Sequence, residues 1–171
     1  AMEEAKRILD EALMREAIAL AREADAEEEV PVGCVVTLDG RIVGRGRNRR
    51  ERGRSALAHA EIEAIAQACR TLGGWRLWQC TLYVTLEPCC MCAGAITGAQ
   101  IPRVVYGAKD PKMGAGGSLV NLLCLPGCFR PAVTTGVLEE ECRALLQTFF
   151  RSLRERKKLL REPTRGEEFE L

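Results

Sequence analysis

Histidine is nearly absent from this chain: there is one in 171 residues, at position 59. Long apolar runs are absent too. Gly, Pro or charge cuts every apolar stretch well before the roughly 18 residues that read as a membrane span, so no membrane partner is expected. No basic segment leads into an apolar one at the start, which argues against a secretory signal. Ala1 ahead of Met2 reads as a cloning remnant. A cytoplasmic protein is the expectation. Internal repeats are lacking, and so is any linker long enough to separate domains. One domain over residues 1–160 is expected, with an acidic, disordered tail over 161–171. A chain of this length buries a proper core without staples.

A paired-cysteine framework is the next absence. There are nine cysteines, an odd number, which argues against a secreted disulfide scaffold. Cys34, Cys69 and Cys80 sit alone in apolar stretches and read as small core residues. Cys124 and Cys128, in CLPGC, bracket a Pro-Gly turn whose spacing also suits a second metal or a disulfide.

Charge is plentiful and patterned, although the net charge is only +1. Residues 1–30 carry ten acids against four bases, whereas RIVGRGRNRRERGR (41–54) carries seven arginines and one acid. A second basic run, RSLRERKKLLR, spans 151–161. Such runs are often only a solvated face, but two of them together suit a polyanionic partner.

The pattern of elements is α/β. Helical spacing covers 3–24; two strands flank Asp39-Gly40 over 30–48, a hairpin signal. A helix follows over 58–74, closed by glycines. Next come a β-branched strand at 80–87 and a short helix opened by Pro88. A strand at 103–108, a Gly-rich loop at 109–118, one helical turn near 119–123, a strand at 131–138 and a helix at 139–158 complete the chain. Alternating helices and strands favour one central sheet covered by helices, parallel where helices intervene.

The segment LEPCCMCAGAI (86–96) places three cysteines in four positions. On a helix, residues three apart share a face, so Cys89 and Cys92 can aim at one ion while Cys90, about 100° around, points elsewhere. His59 opens the helix before. One imidazole and two thiolates are a good zinc set, and a helix N-terminus favours the thiolate. Three protein ligands leave a fourth position for water, which zinc acidifies to a pKa of about 7, giving hydroxide at neutral pH. Glu61, two residues from His59, can reach that water without taking a coordination place and can shuttle its proton. The combination of His-x-Glu and Pro-Cys-x-x-Cys is far more specific than either half.

These motifs resemble those of the zinc-dependent cytidine and nucleotide deaminases and, among them, the bacterial tRNA-specific adenosine deaminases. EVPVGCVV, GRGRNRRE, AHAEIEAI, TLYVTLEPCCMCAGAI, RVVYGAKDPKMGAGGSL and LLQTFFRSLR carry the resemblance, from the first helix to about Lys158. It implies a three-layer α/β/α fold with a central five-stranded mixed sheet. It also implies hydrolysis of adenosine to inosine at the anticodon wobble position of an arginine tRNA, by a homodimer holding one zinc per protomer. His59, Cys89 and Cys92 would hold zinc and Glu61 would protonate N1 and the leaving ammonia. Asn48 and the backbone at Ala60 would contact the flipped nucleotide. Val32, Lys109 and Asp110 would line the pocket. Phe149, Phe150 and Arg151 would meet the anticodon loop, although Phe149 is also at core spacing with Leu145, Leu146 and Leu153. Two stretches depart from the pattern, RSALAHAE before the histidine and NLLCLPGCFRP. A deaminase of a free base or nucleotide (guanine, cytosine or deoxycytidylate) shares the zinc chemistry and is the nearest rival. An RNA-binding zinc module closed by a fourth cysteine is another, and it leaves Glu61 without purpose.

Overall fold

The computed structural model of the chain describes residues 1–161. Helix α1 (Met2–Ala26) leads into the hairpin β1 (Gly33–Leu38) and β2 (Arg41–Arg47). Asp39 and Gly40 both take positive φ, 51° and 75°, the signature of a two-residue hairpin turn that matches strand twist. Then follow α2 (Ala60–Leu72), β3 (Cys80–Leu86), α3 (Cys90–Gly98), β4 (Arg103–Ala108), a single 3₁₀ turn at Leu122–Cys124, β5 (Ala132–Thr135) and α4 (Glu139–Arg161).

The five strands form one mixed sheet in the order β2-β1-β3-β4-β5. β1 runs antiparallel to β2 and to β3, while β3, β4 and β5 run parallel. The expected five-stranded three-layer architecture is what the chain adopts. Val35, Tyr83 and Val105 stand in one row across the sheet and face Leu13, Met14, Ala17 and Ile18 of α1 and Cys142 of α4. The alternate residues Cys34, Val36, Leu82, Val84, Val104 and Tyr106 face Ala60, Ala64 and Ala68 of α2 and Ala93 and Ile96 of α3. This is the period of two expected of a sheet buried on both faces.

The seat of α2 depends on two glycines of β2. A Cβ at Gly44 would lie 2.2 Å from the Ala64 carbonyl oxygen, and one at Gly46 would lie 2.0 Å from that of Ala60. With Ala60, Ala64 and Ala68 recurring every fourth residue, the helix backbone lies directly on the strand. That contact fixes the first turn of α2, and with it His59 and Glu61.

Several element ends differ from the sequence reading. Pro88 lies ahead of α3 instead of inside its first turn, because Cys89 is the extended N-cap. β5 stops at Thr135, where the chain turns through Gly136 at φ 78°. α4 continues to Arg161, so the expected disordered tail begins no earlier than 162, and 162–171 lies outside the described residues. Cys34 and Cys80 are buried and Cys69 half-buried, whereas Cys124 and Cys128 are exposed and free. No helix among the described residues is long and apolar enough to cross a membrane.

Candidate active site

β2 and β3 point the same way, and the segments that follow them open two helices at one end of the sheet. His59 is the N-cap of α2 and Cys89 the N-cap of α3; both are extended, and neither side chain caps its own helix. Those side chains instead meet each other. The Sγ atoms of Cys89 and Cys92 lie 3.6 and 3.5 Å from His59 Nδ1. Cys89 at the N-cap and Cys92 at N3 stand in the relation that lets a capping box close, so they converge by cap geometry more than by sharing a helical face. Cys90, between them, is exposed, as its place around the helix requires.

The donor set fits zinc. A tetrahedral ion about 2.3 Å from sulfur and about 2.0–2.1 Å from nitrogen sets sulfur and nitrogen roughly 3.5–3.6 Å apart, which is the separation found. All three ligand atoms lie within 4.8 Å of one another, and no fourth His, Cys or carboxylate joins them among the described residues. The closed, four-ligand zinc module therefore finds no support.

The electrostatics suit a cation. A hydrogen bond from the Cys92 thiol, then one from His59, hold Cys89 down at about 3, a thiolate at neutral pH. Cys92, as donor in that pair and deeply buried, is raised, and His59 is raised by its bond to Cys89. The protons of these two donors thus sit where a metal ion would displace them. Glu61 is 4% exposed, and burial pushes its carboxyl above the ordinary range against a hydrogen bond from its own backbone N–H. Burial that strengthens a carboxyl's hold on a proton suits it to acid–base work.

Over these groups opens a cleft of about 1310 Å³, lined by Val32, Asn48, His59, Ala60, Glu61, Cys89, Lys109, Asp110, Phe150 and Arg151 among others. Ten of the twelve residues singled out from sequence therefore share one cavity. Cys92 lies beneath it, fully buried. Phe149 is the exception: it is buried, edge-on to Phe150 at 5.3 Å, and absent from the lining, while Phe150 is 40% exposed there. On α4, residues 149 and 150 point about 100° apart, so only one of them can face the cleft.

Asn48 is buried and gives its amide to the Val30 carbonyl at 3.2 Å, while its Oδ1 has no partner. A buried orphan acceptor costs stability unless something donates to it. The Ala60 N–H, in the first turn of α2, belongs to the set that a helix leaves unbonded.

The rim is basic, though not as the arginine count suggests. Arg47 is bound by Glu27 at 2.7 Å and Arg49 by Glu63 at 2.8 Å. Arg50, Lys109, Lys112, Arg151 and Arg154 line the cleft without an ion pair among the described residues. Sequence reasoning takes Arg50 and Arg154 as phosphate contacts within the basic runs but passes over Lys112, Met113, Arg143 and Gln147, which also line the cleft. The α4 members could have been found from spacing, since 143, 147, 150 and 154 share a helix face. It also missed two buried carboxylates that shape the walls. Glu29 accepts from the Glu51 and Arg52 N–H groups, and Glu87 does the same for the loop opposite.

A three-ligand metal centre with an adjacent buried carboxyl, at the carboxyl ends of strands in a three-layer fold, defines a zinc-dependent deaminase. Residues 7–108 match the family model described as the cytidine and deoxycytidylate deaminase zinc-binding region. The chain is 49% identical over 154 residues to a tRNA-specific adenosine deaminase of Bacillus subtilis (strain 168), covering 90% of this chain and 96% of that one. It is 47% identical over 142 residues to the Agrobacterium fabrum protein so named, 82% of this chain and 93% of that one. One solved structure, from studies of A-to-I editing by tRNA:A34 deaminases at the wobble position of transfer RNA, superposes with a TM-score of 0.76 at 46% identity, covering 79% of this chain and 99% of that one. A guanine deaminase from Nitrosomonas europaea superposes with 0.72 at 29% identity, covering 81% and 83%. The chain belongs to the zinc-dependent cytidine and deoxycytidylate deaminase family and, within it, to the tRNA-specific adenosine deaminases.

Proposed function

We propose that this protein hydrolyses adenosine to inosine at the wobble position of a tRNA anticodon, releasing ammonia. The cleft carries the reading. At about 1310 Å³ it exceeds the roughly 300–1,000 Å³ of small-molecule pockets, and its five cations without an ion pair among the described residues suit a phosphate backbone. Both features favour a nucleotide within a loop over a free base.

His59, Cys89 and Cys92 hold the zinc ion, which when bound acts as a Lewis acid and lowers the pKa of water to about 7. Glu61 takes one proton from the attacking water and delivers it to adenine N1, then takes the second from the new C6 hydroxyl and passes it to the amino group, which leaves as ammonia as the C6–N bond breaks and the C6 carbonyl forms. Burial raises its carboxyl and so favours the protonated form through which the proton passes. Asn48 Oδ1 accepts a hydrogen bond from the extruded nucleotide, and the Ala60 N–H donates one to the base. Val32 packs against the ring. Lys109, Arg151 and the rim arginines take phosphates, with Phe150 offering a ring for stacking and Asp110 shaping the wall beside them. Extruding a base costs least in a loop that is already unpaired.

An arginine tRNA as substrate, a homodimer as the working unit and the cytoplasm as its place are the finer parts of this proposal, and they rest on the resemblance. Sedimentation tests the dimer. The function itself is tested by incubating the zinc-loaded protein with bulk tRNA, free adenosine, cytidine and guanine. Inosine in tRNA, with the free compounds left intact, supports the reading. Ammonia from a free base with no inosine in tRNA overturns it in favour of a small-molecule deaminase.

A further inference from the structure

Glu87 stands two residues before Cys89, is 2% exposed, and has no cation beside it among the described residues. Its carboxylate is filled by four donors, all from the loop 109–118. Oε1 accepts the Asp110 N–H at 3.1 Å and the Ser118 hydroxyl. Oε2 accepts the N–H groups of Gly116 and Ser118, both at 3.0 Å. The loop closes so tightly that a Cβ at Gly114 would lie 2.3 Å from Oε2. That close approach explains the glycine there.

One backbone bond ties the same loop to the metal turn, from the Ala115 N–H to Pro88 O at 2.7 Å, and a second, from the Glu87 N–H to Ala108 O at 2.8 Å, ties that turn to the end of β4 from which the loop springs. The other side of the loop presents Lys109, Lys112 and Met113 to the cleft. A buried anion must have its lone pairs filled, and a folded loop must have its N–H groups bonded. Here each requirement is met by the other, with backbone dipoles in place of a counter-cation.

We propose that Glu87 is a positioning residue for substrate: its carboxylate is the template on which the 109–118 wall folds, and it sets that wall against the metal turn. It acts through the loop and touches no reacting atom. The inference rests on the deaminase reading above. Its signature is weaker substrate binding with the chemical step preserved.

The test compares wild type with Glu87→Gln, Ser118→Ala and Gly114→Ala, each zinc-loaded, on an anticodon stem-loop. Glu87→Gln keeps the volume but turns one acceptor into an NH₂ facing N–H donors. KM should rise about 10-fold or more, kcat should stay within about threefold, and zinc should stay at one per chain. Amide exchange at Gly116 and Ser118 should quicken. Ser118→Ala, which leaves the carboxylate three donors, should shift KM less. Gly114→Ala should raise KM from the loop side, and it carries the test if Glu87→Gln does not fold. Unchanged KM in the folded variants, or lost kcat and zinc at unchanged KM, overturns the proposal. No inosine from wild type would instead overturn the deaminase reading, while the exchange rates would still report on the wall.

Discussion

Removing two rim arginines tests how the cleft meets its substrate. Arg50 and Arg154 face the cleft without an ion pair among the described residues, whereas Arg49 is held by Glu63 at 2.8 Å. If Arg50 and Arg154 each neutralise one phosphate, the double variant Arg50→Ala, Arg154→Ala gives up two counterion-releasing contacts. The slope of log K against log salt should then flatten by about 1.4–1.8, at roughly 0.7–0.9 per contact. Across a rise from about 50 to 200 mM salt, a fourfold change, that difference amounts to about one decade. The affinity advantage of wild type should therefore shrink about tenfold over that range. Fluorescence anisotropy with a labelled stem-loop at four or five salt concentrations reads the slope. Arg49→Gln is the control and should leave it unchanged, since its charge is already spent on Glu63. Parallel slopes for wild type and the double variant, or an equal loss in Arg49→Gln, would refute the assignment of rim cations to phosphates.

The metal turn and the sheet give two further expectations. Cys92→Ala should lose zinc by metal analysis, while Cys90→Ser, at an exposed position, should keep one zinc and near-normal turnover; zinc loss in Cys90→Ser would break the cap geometry argued for the ligands. Asp10 is buried, accepts from Tyr83 at 2.8 Å and pairs with Arg103 at 2.7 Å, so Asp10→Asn should cost about 3 kcal/mol, a fall in Tm of roughly 6–12 °C in thermal melts. Burial alone would raise the Asp10 carboxyl, but the bonds from Arg103 and Tyr83 outweigh it and hold it low. Its stabilisation is thus complete above the unfolded value of about 3.9 and lost as pH falls through the lowered folded value, so the gap between wild type and variant should close on acidification below about pH 4.

The metal centre was legible because its signals are local. A lone histidine, the i, i+2 glutamate and the i, i+3 cysteine pair each sit at a helix start, and topology need only bring two helix starts together. The hairpin at Asp39-Gly40 was legible for the same reason, since turn chemistry is written in two residues. The rim was half legible: the runs 41–54 and 151–161 do border the cleft. That Arg47 and Arg49 are neutralised depends on Glu27 and Glu63, which only the folded sheet and helix bring near. Nothing local in the sequence marks Glu29 and Glu87 as buried. Their burial arises because loops 20 or more residues further along the chain wrap their N–H groups around them, a tertiary event without local signature. Phe149 and Phe150 show the limit of a motif, because a one-residue step on α4 decides which ring reaches the cleft.

Turnover of an anticodon stem-loop by Glu61→Gln is the most direct test of the central claim. Glutamine keeps the shape of a side chain that is 4% exposed but cannot accept and return a proton. With zinc content matched to wild type, inosine measured by nucleoside mass spectrometry should fall by about 10²–10⁴ in kcat, with stem-loop affinity little changed. Turnover within a few-fold of wild type, or a loss that only tracks missing zinc, would contradict the claim that Glu61 carries the proton in a hydrolytic deamination.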